Sequence, residues 1–415
     1  MTASKWDAFN ERGINRCPFG EWEDTVTISE NHAVSRIGVM RPWVGQEEAD
    51  AVVQVLASGR TAQGPRVGQF EEAFGSSQQA PHGVAVSSGT AALHLALRVA
   101  GVEPEDDVVL PSFSAVATAD AVSQLGARTV FADVEAGTGN VSVRTVEAAL
   151  TPATRAVIVV DRGGMPVDLM PIRDLCDPLG VTVIEDAGGG VGSTYQGRPV
   201  GAGAELTAWS FDSHEVLTTG EGGMLTTPGT AWANRARQLR DEAAGAGFNY
   251  PMTELQAAIG LVQLGRLQEA VAHRREIVAS YQLALARIQG VRCIQDPVYG
   301  TSNFQSFWLE VLPSFASGRN ELLERLSRDG ISAGTGMMAV HRHPAFLGRD
   351  YGAADLSVTE RLAERTVILP VYHQLTPGEQ SRVVRSVRLA AAGIPVTVRR
   401  GKWNGGFRRA EAASA

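Results

Sequence analysis

Short apolar runs separated by longer stretches of helical periodicity organise residues 84–226. Seven runs are strand-like: Val84–Val86, Val108–Leu110, Thr129–Phe131, Ala156–Val160, Val181–Ile184, Leu206–Trp209 and Gly223–Thr226. Strands alternating with helices predict a mostly parallel sheet with helices on both faces. Ala91–Ala100, rich in Ala and Leu, is the helix after the first strand. Upstream, RPWVGQEEADAVVQVLASG predicts a loop and then a helix with Val52, Val53, Val55 and Leu56 as its apolar positions. QGPRVGQFEEAFG predicts a second helix, opened by a Pro-containing turn. Pro251–Ile288 is a long helical region with Leu255, Ile259, Val262 and Leu267 on one face. The pattern then changes: FQSFWLEVLP predicts a strand, NELLERLSRDG a helix and ISAGTGMM another strand.

These elements divide the chain into an N-terminal extension (1–36), a large domain (37–288), a small C-terminal α/β domain (289–395) and a basic tail (396–415). The extension carries Trp6, Phe9, Phe19 and Trp22, enough aromatic surface for a structural cover. A length of 415 residues accommodates one large and one smaller domain. A net charge of −8 argues against a nucleic-acid partner. No apolar run reaches the roughly 18 residues of a membrane span, and the first residues, MTASKWDAFNERG, lack the apolar core of a signal peptide. Cys17, Cys176 and Cys293 are far apart and without CxxC spacing, as expected of reduced thiols in the cytoplasm. Lysine is nearly absent: Lys5 and Lys402 are the only two among 37 basic residues.

In open α/β sheets ligands bind at the carboxyl ends of the strands. Asp161, Glu185, Asp186 and Ser210 all fall at such ends. Ser88-Gly89-Thr90 is a small-residue turn opening a helix, and free backbone N–H groups at a helix N-terminus suit a phosphate. Trp209–Met224, WSFDSHEVLTTGEGGM, adds Asp212, His214 and Glu215 close to Ser210.

That last stretch resembles the cofactor loop of the DegT/DnrJ/StrS sugar aminotransferases, which use pyridoxal phosphate (PLP) on the three-layer type I PLP-transferase fold. Members have S-F-x-x-x-K-x-L-x-x-G-E-G-G-M. Here Ser210, Phe211, Leu217, Gly220, Glu221, Gly222, Gly223 and Met224 match, and Glu215 stands at the lysine. GFNYPMTELQAAIG and the terminal LSVTERLAERTVILPVYHQ pattern extend the resemblance over roughly residues 38–395. It implies an α/β fold with a seven-stranded sheet, and a homodimer with its site at the subunit interface. It implies Asp186 (in VIEDAGGG) on the pyridine nitrogen, although a strand-end Asp also caps a turn. It implies Gly89, Thr90, Ser210 and, across the dimer, Asn249 as the phosphate cradle.

Other family positions differ. Gly189 replaces a glutamine, Ala115 an aromatic, Pro251 an arginine, and Val160-Asp161-Arg162-Gly163-Gly164 stands for V-H-L-Y-G. A carboxylate about 4 Å from the cofactor's phenolate would repel it by roughly 4 kcal/mol at an effective dielectric near 20. From these losses we expect no cofactor, and because the acids and His214 have no recognised ligand spacing we expect no metal. The expected activity is acid–base catalysis by Glu215, His214, Asp186 and Asp161 on a small molecule of specialised metabolism, by cyclisation, dehydration or isomerisation. Two other readings stay open. One is a sugar aminotransferase or dehydratase holding PLP or pyridoxamine phosphate (PMP) non-covalently. The other is a non-catalytic partner of an active paralogue.

Overall fold

The computed structural model describes residues 36–241, 247–348, 351–352 and 354–394. Most of the N-terminal extension and all of the basic tail lie outside these residues. The main sheet has seven strands: β1 (His82–Val86), β2 (Asp107–Pro111), β3 (Arg128–Ala132), β4 (Thr154–Val160), β5 (Thr182–Asp186), β6 (Leu206–Ser210) and β7 (Gly223–Thr227). Their order across the sheet is β1-β7-β6-β5-β4-β2-β3. The seven predicted strands are these seven. All neighbours pair in parallel except β7, which runs antiparallel to both β1 and β6.

Strand periodicity sends alternate side chains to opposite faces. Ala85, Val109, Val157 and Val159 join the core on one face, and Val84, Val86, Val108, Leu110 and Ile158 the core on the other. Both faces are covered, so the strands are apolar throughout. On the first face Phe74 packs edge-on against Trp209 (5.2 Å between ring centroids) and Phe211 (5.1 Å). Burying side chains of this size contributes about 1.5–3 kcal/mol each, which anchors the chain on either side of Ser210.

The antiparallel direction of β7 matters for the site. Gly223 pairs with both Val86 and Ser210. The loop between β6 and β7 therefore leaves and re-enters the sheet at the edge where the parallel strands end.

The predicted first helix is Gln46–Ser58; of its apolar positions Val55 is buried, whereas Val53 is 61% and Leu56 56% exposed. Two sequence expectations are corrected here. The long helical region is two helices, Glu254–Gly265 and Leu267–Leu285, interrupted at Arg266 (φ −114°, ψ 10°). ISAGTGMM is not a continuous strand. It makes single bridges at Ile331 and Gly334 before Met338–Ala339 pairs with Phe113–Ser114. Gly336 explains the break, because its φ is +76° and a Cβ there would meet Thr366 Oγ1 at 1.9 Å. A second sheet, antiparallel, joins Val291–Cys293, Phe307–Val311 and Thr366–Leu369.

Candidate active site

A cavity of about 290 Å³ opens at the carboxyl edge of the main sheet. Its wall takes residues from the ends of β1, β4, β5 and β6 and from the start of the helix Val116–Ser123. A larger groove of about 460 Å³ runs between Leu267–Leu285 and Pro377–Ala391, far from these strand ends and without an acid in its lining. The smaller cavity is therefore the candidate site.

One side is the N-terminus of the helix Gly89–Val99. Ser88 caps it, its Oγ accepting from Ala91 N at 3.1 Å. Gly89 is required by contact: a Cβ there would lie 2.7 Å from Ser210 Cβ. The turn is thus pressed against β6, and the backbone of Gly89 and Thr90 faces the same space as Ser210.

Asp186 ends β5. Thr118 Oγ1 donates to its Oδ2 at 3.1 Å, and Gly188 N to its Oδ1 at 3.3 Å. Burial raises its pKa above the ordinary carboxylate value, with Gly188, Arg162 and Thr118 opposing the rise.

The β6–β7 loop holds Glu215. Phe211 N donates to Gly222 O (2.9 Å) and Thr219 N to Phe211 O (2.9 Å), which closes the loop at its base. Glu215 N reaches Asp212 O at 3.2 Å, so the stretch is a turn rather than a strand. Gln305 Nε2 donates to His214 O at 2.9 Å and ties the loop to the segment before Phe307–Val311. The Glu215 side chain turns inward, and its Oε2 is out of solvent without a hydrogen-bond partner. Burial, then Asp212, pushes its pKa well above the usual range, against the pull of Arg162.

The other proposed residues fall differently. His214 stands at the cavity mouth with its side chain 73% exposed, 3.3 Å from Asp212. Asp161 borders the cavity, but its carboxylate is 1% exposed and turned behind the wall, where Oδ1 accepts from Val167 N at 2.9 Å. Burial and the neighbouring Glu185 raise its pKa well above normal, and that of Glu185 rises by burial to about 7. Asp161 Oδ2 and Glu185 Oε2 are both buried without a hydrogen-bond partner beneath the site, so the Asp161 carboxylate is set back from the space that His214 and Glu215 border. Asn249 is exposed, has φ 54°, and is not part of this cavity in the single chain. Gly189 and Ala115 both line the wall.

Arg162 escaped the sequence reading as a site residue. It stands two residues past the end of β4, after Asp161, and lines the cavity with Asp186 and Glu215. The departure from V-H-L-Y-G was the available signal, since it puts a cation at a strand end.

An α/β sheet of this order, with an anion cradle and a strand-end acid at its carboxyl edge, defines a protein of the type I PLP-transferase fold. The DegT/DnrJ/EryC1/StrS aminotransferase family model matches residues 42–388, and the chain belongs to that family. The spore coat polysaccharide biosynthesis protein SpsC of Bacillus subtilis (strain 168) is 35% identical over 370 residues, 84% of this chain and 95% of its own. The dTDP-4-dehydro-2,3,6-trideoxy-D-glucose 4-aminotransferase of Saccharopolyspora spinosa is 33% identical over 367 residues, 83% and 94% of the two chains. The crystal structure of the aminotransferase TlmJ from Streptoalloteichus hindustanus superposes with a TM-score of 0.81 at 36% identity, covering 86% of this chain and 99% of that one.

These findings overturn two expectations. Cofactor-independent acid–base catalysis and the expectation of no cofactor both fall, because the family and its named relatives are aminotransferases. The remaining geometry fits a phosphorylated pyridine. The cradle is free of side chains at Gly89, and Asp186 is held by two donors at the cavity wall.

Proposed function

We propose that the protein is a sugar aminotransferase that holds PLP or PMP without a covalent bond. The observation that carries this reading is the cradle joined to the strand-end acid in one cavity. Gly89, Thr90 and Ser210 suit the cofactor phosphate, and Asp186 suits the pyridine nitrogen. When bound, the cofactor carries the amino group and draws electrons from the substrate carbon. Lys5 and Lys402 are the only lysines, and neither is among residues 36–394, so attachment is non-covalent. Glu215 stands where the family has its lysine, its Oε2 buried and unpaired and its pKa raised by burial, which suits a proton carrier. The names of the relatives support a nucleotide-linked keto sugar as substrate. Asn249, exposed in the single chain, supports a homodimer in which it serves the partner's cradle.

The test is an absorbance titration of the purified protein with PLP and with PMP. Saturable binding of both is expected, and borohydride should leave the intact protein mass unchanged. With PMP and a dTDP-linked 4-keto sugar, mass spectrometry should show an amino sugar. Failure of both cofactor forms to bind at millimolar concentration sinks the reading. Loss of water from the sugar without gain of nitrogen makes the protein a dehydratase instead.

A further inference from the structure

The cavity contains one arginine whose charge acts on Asp186 and Glu215 without hydrogen-bonding to either. Five acids border the space, Asp161, Asp186, Asp212, Glu215 and Glu221, with Arg162 as the only arginine among them. The backbone N of Arg162 donates to Asn140 Oδ1 at 3.1 Å, which fixes the residue at the end of β4. Its guanidinium has no hydrogen-bond or ion-pair partner among the described residues. Buried charges are ordinarily paired, because leaving water unpaired is costly. A half-buried guanidinium facing a cavity without a partner is arranged for a ligand.

The turn that carries Arg162 is built for that position. Gly163 has φ 62° and Gly164 φ 86°, and a Cβ on Gly164 would sit 1.8 Å from Asn303 Oδ1. Asn303 Nδ2 in turn donates to Gly189 O and Val191 O, both at 2.8 Å. The turn is therefore clamped against the segment after β5. Gly189 faces the turn, and a Cβ there would stand 3.3 Å from Gly164 N. With glycine at 189, that part of the wall offers no side-chain donor. Thr118 is already engaged with Asp186, and Ser210 belongs to the cradle.

We infer that Arg162 binds the anionic ring oxygen of the cofactor and supplies the positive charge that Glu215 does not. The inference rests on the cofactor reading above. Arginine suits the role because its guanidinium stays cationic and offers several donors to one oxygen. An arrangement of this kind reconciles an acid in place of a cation at position 215 with an anionic ring.

The experiment compares binding of PLP, its 3-O-methyl ether and inorganic phosphate, followed by absorbance or by competition. Wild type should prefer PLP over the ether. Arg162→Gln should weaken PLP by about 10–100-fold, the range for losing a charge-assisted hydrogen bond, and abolish the preference. Arg162→Lys should restore part of it. Inorganic phosphate should bind wild type and Arg162→Gln alike, because the cradle is untouched. If wild type binds PLP and Arg162→Gln binds it equally well, the inference is wrong and the cofactor reading stands. If wild type binds neither PLP nor PMP, both fall. Should Arg162→Gln fail to fold, wild type decides alone, since equal affinity for PLP and the ether overturns the inference.

Discussion

Glu215 differs from His214, its neighbour in the chain, because the turn between Asp212 and Glu215 sends one side chain inward and the other to solvent. A buried carboxyl with no partner keeps its proton, and a positioned acid or base contributes about 10²–10⁴-fold to a rate. Glu215→Gln keeps the shape and removes the exchangeable proton. Amine transfer by the PMP-loaded protein should fall within that range, with cofactor binding retained; an unchanged rate would make Glu215 a filler. Below the site, Glu185 titrates near 7 in the fold because burial disfavours its charge, against about 4.3 for a free glutamate. Its folded pKa is raised, so its contribution is complete below about pH 4.3 and is lost as pH rises towards 7. Glu185→Gln should flatten this fall in a series of denaturant melts. One proton changes the slope by at most about 1.4 kcal/mol per pH unit.

Each site residue depends on an element that sets its position. The helix Glu254–Gly265 opens with a capping box, Thr253 Oγ1 accepting from Gln256 N at 3.3 Å and Gln256 Oε1 from Thr253 N at 2.9 Å. Gln256 Nε2 also donates to Glu221 O at 2.7 Å, so this helix end steadies the β6–β7 loop. Thr253→Ala should cost about 1 kcal/mol in chemical denaturation and weaken cofactor binding with it. The turn after β4 is more sensitive. Gly164→Ala forces a Cβ onto Asn303 and a left-handed conformation on alanine, which costs about 1–3 kcal/mol for the backbone alone. A lowered melting temperature is expected, with poorer discrimination between PLP and its ether because Arg162 moves. At this scale the chain pattern was a partial guide. Strand runs were legible because both faces of the sheet are covered. The break at Arg266 and the loss of strand at ISAGTGMM were not, since each depends on contacts from distant residues.

The whole molecule brings its strand ends to one edge, and β7 returns its loop to that same edge. Asn249 remains outside the cavity of the single chain. A homodimer is therefore expected in sedimentation at micromolar concentration. Asn249→Ala should weaken inorganic phosphate binding in the dimer. A monomer that binds phosphate as well as the dimer would remove any need for a shared site.

Some of this was determined by the sequence alone. Seven apolar runs, the SGT turn and the GEGGM return carry the family and fold, because local periodicity and short turns are written in adjacent residues. The family resemblance implied Asp186, Gly89, Thr90, Ser210 and Glu215 as neighbours, and all five line the cavity. Only the tertiary structure decided which way side chains turn. Asp161 faces Glu185 and Val167 behind the wall, whereas Arg162 lines the cavity beside it. Adjacent positions at a strand end differ by a turn of the backbone, and that turn packs at Gly164 against Asn303, 139 residues away in the chain. Long-range contacts of this kind leave no periodic mark in the sequence, and they determine which charges meet a ligand.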